Sequence, residues 1–335
     1  MSFEKDLNLL KIEWKKKGYY ESDYTYNFLD FSIIIFLIKF STIIKNGFIS
    51  GTFLGTAIHQ FARLGHELGH QSGIFNVRRI RSQKKYHYCL LLINMCLGFD
   101  GFLWKKQHTQ HHEFTMHNSD CQISRDYPVF SHHEDYVKKK IKYGSYLERK
   151  LFYNQHNIGL LFVVLFGKIL LTKKYLSEIK DHDVILRKGF LLLHYLFIFL
   201  LSLKRYNKLG LYNSIQNIFM VNFICGILHI QLLFNHITTE HHNNQKKNDI
   251  KQQITNSVNY TCKPYGFWHW FHVSLGHQIE HHIDPKIASQ HHHKMLNDVK
   301  NLCKKHDIEY KSDDFLAMVF KYRKLLRNVV KKSYI

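Results

Sequence analysis

The sequence predicts an all-α integral membrane helical bundle of about four transmembrane helices, with a cytosolic cap built on histidine boxes. Three observations predict it. Apolar residues gather into six blocks although the mean hydropathy of the whole chain is slightly negative. Only three prolines occur in 335 residues, and since proline removes a backbone donor and breaks helix interiors, its scarcity lets long helices run. The 26 histidines include three clusters at helical spacing, two of them placed directly after apolar blocks.

The N-terminal MSFEKDLNLLKIEWKKKGYY is charged and aromatic, unlike a cleaved signal peptide, so residues 1–27 are expected to form a cytosolic segment. No linker rich in Pro, Gly or Ser divides the remainder of the chain, and residues 28–335 are expected to form one membrane domain. The first block runs from about Phe28 to Ile44 and the second from about Phe48 to Leu64, joined by Lys45 to Gly47. Each is near the roughly 17 to 25 residues that span a bilayer; a buried hairpin of a soluble protein is the alternative. Lys39 and Arg63 are expected near an interface, where long side chains snorkel. The basic run RRIRSQKK marks the end of the second block as cytosolic. The third block, Tyr88 to Trp104, is broken by Gly98 and Gly101 and is expected to dip in and return, or to lie along the surface. Ile158 to Leu171 is short and carries Lys168, so it is expected at the interface, leaving Phe190 to Leu203 and Ile215 to Phe234 to cross.

A formal net charge of +21 is read as Lys and Arg collected on the cytosolic face against anionic headgroups, with no nucleic-acid partner. The six cysteines show no C-x-x-C and no paired spacing, as expected of reduced structural thiols.

Chemistry concentrates in three histidine clusters. HELGHQSG places His66 and His70 at i and i+4, on one helix face one turn apart. WKKQHTQHH places His108, His111 and His112 at i, i+3 and i+4; GHQIEHH repeats that spacing with Gln278, His281 and His282, and Pro285 ends the helix soon after. His-Glu-x-x-His is also the zinc metalloprotease signature, with Glu67 as base, but Asn76 stands where the longer form needs a histidine, and a protease leaves the other two clusters unused. A histidine-rich metal transporter should carry ligands inside its membrane helices and a loop of unordered histidines, whereas these clusters keep helical spacing at helix ends. Seven imidazoles and an amide exceed the needs of one tetrahedral ion and suffice for two metals, whose identity imidazole leaves open among zinc, copper, iron and nickel. The runs His132-His133 and His291 to His293 lie in polar stretches and are expected at the surface. His59 and His229, inside apolar blocks, are expected to be packed and hydrogen-bonded.

These three boxes, in this order and at these separations, resemble the membrane fatty acid desaturases. Gln278 in QIEHH is the mark of the front-end branch, FWHWFHVSLGHQIEHHIDPKI resembles that branch's W-F-x-G-G-L-x-x-Q-I-E-H-H-L-F-P run, and VKNLCKKHDIEY looks like its closing segment. WKKQHTQHHEFTMHNSDCQISRDYPVF resembles its second-box run. The likeness covers roughly residues 60 to 310.

The resemblance implies an oxygen-dependent di-iron enzyme that inserts a cis double bond on the carboxyl side of an existing one in a fatty acyl chain. It implies two irons held by His66, His70, His108, His111, His112, His281 and His282, with Gln278 beside them and a further ligand after the last membrane helix at His236, or else His241 or His242. Neutral imidazoles bring no charge to offset iron, so Glu67, Asp120, Glu240 and Glu280 are candidates to orient and tune them. The substrate implied is an acyl lipid or acyl-CoA, the location the endoplasmic reticulum membrane with boxes facing the cytosol. A sphingoid-base desaturase and a lipid hydroxylase share the scaffold as alternatives. Front-end members usually carry a fused cytochrome b5 domain with H-P-G-G; no such motif occurs here, so electrons are expected from a separate carrier, cytochrome b5 and its reductase. Further departures are Glu67 for the usual Asp, Gly276-His277 for Asn-aromatic, and Asp284 before Pro285.

Overall fold

The computed structural model describes residues 2–333 apart from 77–81, 118–119, 121–125, 128, 181–182, 238–246, 264–265 and 274. Among the described residues, fourteen α-helices make up nearly all of the regular structure. In chain order they are α1 (Phe3–Lys16), α2 (Tyr24–Ile43), α3 (Gly47–His70), α4 (Gln83–Leu97), α5 (Gly101–Glu113), α6 (Glu134–Tyr143) and α7 (Tyr146–Tyr153). Then come α8 (Gln155–Glu178), α9 (Val184–Ile237), α10 (Ile250–Thr255), α11 (Phe267–Phe271), α12 (Gln278–Ile283), α13 (His292–Lys305) and α14 (Phe315–Lys332). The described residues also form three short 3-10 turns and two minimal strand pairs, one antiparallel (Asp126–Tyr127 with Phe130–Ser131) and one parallel (Asn259–Tyr260 with Ser312–Asp313).

Helix α9 is a hairpin rather than one rod. Gly210 sits at φ 82°, ψ 173°, a region costly for any residue with a Cβ, and beyond it Ser214 Oγ donates to the Ser202 carbonyl at 3.0 Å. Each arm exceeds the roughly 20 residues a bilayer core needs. By length and composition α2 and Val184–His236 qualify as membrane spans among the described residues, or three spans if the bent pair α4–α5 is counted as one. Exposed apolar side chains stud both, among them Phe28, Ile35 and Phe36 on α2 and Phe197, Phe199 and Leu200 on α9, as lipid-facing surface requires. The chain is thus an all-α membrane protein, as the block pattern predicts. Helix α3 is less apolar because its polar residues His59, Gln60 and Arg63 face inward and are buried.

Helix α3 lies closely on the second arm of α9. A Cβ on Gly51 or Gly55 would stand 2.8 Å and 2.9 Å from the Cβ atoms of Met220 and Ile224, so the small-residue stripe lets these backbones approach. Cluster Leu54, Ile58, Val221 and Cys225 fills the seam. At the far end, Arg205 of α9 clamps the α2–α3 turn by donating to the carbonyls of Ser41 and Ile44 at 2.9 Å each. A cavity of about 600 Å³ opens there, lined by Lys45, Lys204, Arg205 and Lys208 among others. It is remote from the boxes, since Ser50 on its wall and His66 are 16 residues apart on one helix, about 24 Å at 1.5 Å per residue.

Three expectations are corrected. Arg63 does not snorkel: it is buried between Asp30 and Glu67, with Trp270 Nε1 donating to Asp30 Oδ1 at 2.8 Å. A buried guanidinium between two carboxylates is held by them, and removing one partner of such a pair costs about 3–5 kcal/mol. The block carrying Lys168 is longer than its apolar run suggests: it is part of the 24-residue α8, packed against α9. Lys168 turns inward and donates to His194 Nε2 at 2.7 Å, which removes the reason for placing it at a surface. Third, His291 and His292 are buried, with His291 Nε2 donating to the Glu21 carbonyl at 3.0 Å, while His132 and His133 are half-buried. Polar neighbours in sequence misled here, because α1 folds back over that stretch: Phe3, Leu7 and Trp14 share a core with Ile279, Ile283, Met295 and Val299.

Other expectations hold. The third block bends by 98° between α4 and α5, at Gly98 with φ 72°. Asp100 anchors the bend by capping α5 through Leu103 N at 2.8 Å and receiving Arg187 of α9 at 2.7 and 2.9 Å. His59 is buried and its Nε2 lies 2.9 Å from Gln231 Oε1; His229 packs against Gly167. Helix α12 stops at Ile283, before Pro285. Cys89, Cys96, Cys225, Cys262 and Cys303 are free thiols, and Cys121 lies outside the described residues.

Candidate metal centre

Four elements bring the boxes to one end of the bundle. Helix α3 begins at Asn46, whose side chain caps Ile49 N at 3.0 Å, and ends at Gln71 in the left-handed conformation, so His66 and His70 occupy its last turn. The bend at Gly98 turns α5 across this end and aims His108, His111 and His112 at it. The second arm of α9 delivers His236, and α12 delivers Gln278, His281 and His282.

All nine residues expected at the site meet there, in two groups. His66, His70, His108 and His281 hold their ligand nitrogens within 4.8 Å of one another, as do His111, His236 and His282. His112 joins the first group, its Nε2 3.3 Å from His108 Nε2 and 3.0 Å from His281 Nε2; His66 Nε2 stands 2.9 Å from His108 Nε2. Gln278 joins the second, its Nε2 3.0 Å from His236 Nε2 and 3.1 Å from His282 Nε2, and His111 Nε2 is 3.2 Å from His236 Nε2.

These spacings suit metal binding better than hydrogen bonding. Adjacent ligand atoms on a metal polyhedron with bonds of about 2.1 Å stand about 3 Å apart. Hydrogen bonding alone leaves atoms over: His70 Nε2, His112 Nδ1 and Gln278 Oε1 are buried without a partner. Flipping the Gln278 amide presents that oxygen to the second group instead. Burial, and then the neighbouring imidazoles, hold His112, His281 and His282 well below the usual histidine range, so they are neutral donors.

A second layer orients the second group. His111 Nδ1 lies 2.7 Å from Asp120 Oδ2, His236 Nδ1 is 2.9 Å from the Asn256 carbonyl, and His282 Nδ1 is 3.4 Å from Gln253 Oε1. An acceptor at Nδ1 places the proton there and leaves the Nε2 lone pair directed into the cluster. Burial pushes the Asp120 carboxyl up, but the His111 ring and the Met116 N–H together draw it below its ordinary value. Asn256 is itself held by donating to the Thr115 carbonyl at 3.0 Å.

Of the acids named from sequence, Asp120 therefore touches a box imidazole. Glu280 is fully buried and accepts from Tyr310 and Asn259 at 2.7 Å each, while Asn259 Oδ1 receives Ile279 N at 2.8 Å, so this network fixes α12 rather than a ring. Burial raises the Glu280 carboxyl, with both hydrogen bonds opposing. Glu67 accepts from Arg63 at 3.2 Å and from Ser289, fastening α3 to the segment after Pro285. Paired with Arg63 and held by Ser289, it makes no hydrogen bond to a box imidazole. Glu240, His241 and His242 lie outside the described residues.

Sequence reasoning missed Asn256, Gln253, Thr115 and Asn259, ordinary polar residues with no local pattern. Trp104 carries a visible signal: four residues before His108, it stacks on that ring at 4.5 Å, and Gly69 gives it room.

Comparison with known proteins agrees with this geometry. The family model described as fatty acid desaturase matches residues 46–313. The chain is 25% identical over 264 residues to fatty acid desaturase 2-like protein FADS2B of Mus musculus, covering 75% of this chain and 50% of that protein. It is 26% identical over 338 residues to the Delta(8)-fatty-acid desaturase of Borago officinalis, covering 93% and 72%. Human fatty acid desaturase 3 is 27% identical over 264 residues, covering 76% and 55%. The chain thus spans about half the length of the mouse and human relatives. No solved structure matches it.

Proposed function

Because this chain belongs to the fatty acid desaturase family, we propose that it is an oxygen-dependent di-iron lipid desaturase acting on the carboxyl side of an existing double bond. The observation that carries the reading is the convergence of two imidazole clusters at one end of a membrane bundle. His66, His70, His108, His112 and His281 would hold one iron; His111, His236 and His282, with Gln278, would hold the other. When bound, the irons supply dioxygen activation. The balance is CH2–CH2 + O2 + 2 electrons + 2 protons giving CH=CH + 2 H2O.

The chain's own residues do the positioning. Asp120, the Asn256 carbonyl and Gln253 keep three rings in the metal-binding tautomer. Glu280, Tyr310 and Asn259 keep α12 in place, and the Asp30–Arg63–Glu67–Ser289 chain ties α2 and α3 to the cap. The substrate is an acyl lipid or acyl-CoA, in keeping with relatives named as fatty-acid and acyl-lipid desaturases. Electrons come from cytochrome b5 and its reductase, and the setting is the endoplasmic reticulum membrane with the clusters on the cytosolic face.

The test is lipid profiling of yeast expressing this chain and fed mono- and diunsaturated acids, with His281→Ala as control. A new double bond on the carboxyl side that depends on His281 is the expected result. An alcohol at that place would make it a hydroxylase, and a product only in sphingoid bases would replace the acyl substrate.

A further inference from the structure

At the end of the bundle away from the histidine clusters, we propose that the cavity between the α2–α3 turn and the first arm of α9 binds the phosphate of an anionic membrane phospholipid. The cavity measures about 600 Å³ and is lined by Lys45 from the turn and by Lys204, Arg205 and Lys208 from α9. That is the size of a small-molecule pocket rather than of a void for a single water. Its chemistry is independent of the metal centre.

The cavity gathers positive charge that has no counter-charge. Arg205 is buried, and its guanidinium meets only neutral acceptors. Nη1 donates to the Ile44 and Lys45 carbonyls at 2.9 and 3.2 Å, and Nη2 donates to the Ser41 carbonyl at 2.9 Å and to Ser50 Oγ at 2.6 Å. The two other buried arginines among the described residues each have carboxylate partners: Arg63 lies between Asp30 and Glu67, and Arg187 is held by Asp100 at 2.7 Å. Lys204 and Lys208 stand at i and i+4 on one helix face, where like charges repel. No acid is available nearby in the chain, since residues 31–66 and 184–239, which carry the whole lining, contain neither Asp nor Glu. A buried cation in such a setting calls for an anion from outside the chain.

Position and wall chemistry favour a lipid over a soluble anion. The cavity lies where α2 ends at Ile43 and where α9 approaches its bend at Gly210, the depth at which membrane spans reach the headgroups. Beside the cations the wall is apolar, with Ile44, Leu54, Leu201 and Leu209. Ile43 and Leu203 next to it are exposed, so acyl chains can run from the cavity along the helices. Basic pockets between membrane helices bind anionic headgroups, and Lys and Arg form charge-assisted hydrogen bonds to phosphate oxygens. With no carboxylate in the wall, an ammonium-bearing headgroup finds no partner, so phosphatidylglycerol fits where phosphatidylcholine does not. A bound phosphate would relieve the repulsion between Lys204 and Lys208 and fasten the α2–α3 turn more firmly to α9.

The test uses the full chain purified in neutral detergent, with bound lipid counted by native mass spectrometry during titration. Wild type is expected to take up a single phosphatidylglycerol at least about ten-fold more tightly than a phosphatidylcholine of the same tails. Lys204→Gln/Lys208→Gln, at exposed positions, should weaken phosphatidylglycerol binding by at least about ten-fold. Lys138→Gln/Lys139→Gln on α6, also exposed, makes the same change in net charge and should leave it unaltered. Equal binding of the two lipids by wild type, or equal loss in the two double variants, overturns the site. Displacement of the lipid by inorganic phosphate at equal concentration would overturn the lipid and give the cavity to a free anion.

Discussion

The two box clusters contain the same ligand type but are supported differently. In the second, His111, His236 and His282 each have an acceptor at Nδ1. In the first, His66, His70 and His281 have no hydrogen bond at Nδ1 among the described residues; rings brace rings, with His66 and His70 edge-on at 4.9 Å and Trp104 stacked on His108 at 4.5 Å. The second cluster is also buried throughout, whereas His66 and His70 are partly exposed. The difference teaches that one site is pre-organised by hydrogen bonds and the other by packing. The second cluster, its rings fixed by hydrogen bonds, should bind first and hold its metal longer.

The largest expected effect comes from removing a ring. His111→Ala should lose the ion of the second cluster and reduce double-bond formation in yeast lipids to background; His70→Ala should lose the first ion alone. Metal counts on purified protein check this, and loss of both ions from either variant would mean that the clusters are one cooperative unit. Next is Asp120→Asn, which leaves His111 in place but weakens its acceptor. Such changes in the layer behind a ligand typically cost about 10–100-fold in metal affinity. Iron titration of the metal-free protein should show that loss in one of two phases, and an equal loss in both would erase the distinction between clusters.

Acid should act on the metal-free protein through the buried neutral rings. Burial holds His272 down to about 4 and holds His112, His281 and His282 well below their ordinary value. With folded values depressed, the unfolded chain binds more protons below about 6.5. The stability is complete above that pH and is lost as pH falls toward the folded values, so thermal midpoints should be level from pH 8 to 7 and decline by pH 5. A flat profile would show that water reaches both clusters. The smallest effect is expected from Tyr310→Phe, which leaves buried Glu280 with Asn259 alone. A loss of about 1–3 kcal/mol, read from chemical denaturation, should come with iron binding unchanged in the second cluster.

Much of this was legible because helices write their faces into sequence. The spacing i, i+3, i+4 puts His108, His111 and His112 on one face whatever else the chain does, and Gly98 with Gly101 announced the bend that aims them. Asp120, named among four acids, is the one of the three described that touches a ring. What was not legible involves partners far apart in the chain: Asn256 supports His236 from 20 positions away, and Asn259 meets Tyr310 across 51. Polar residues in loops carry no period that reports their partners. Arg63 and Lys168 were misplaced for the same reason, since an isolated charge in an apolar block reads as a surface group until its partner is known.

The sequence by itself determined the helical membrane class and the spacing that puts the eight box residues on three helix faces, because local geometry and apolar length are properties of neighbouring residues. Only the tertiary structure decided how these and His236 divide into two clusters, which rings have acceptors behind them, and that Lys45, Lys204 and Lys208 line one cavity. Those outcomes depend on which segments pack together, and packing pairs residues by shape and burial across the whole chain rather than by their spacing along it.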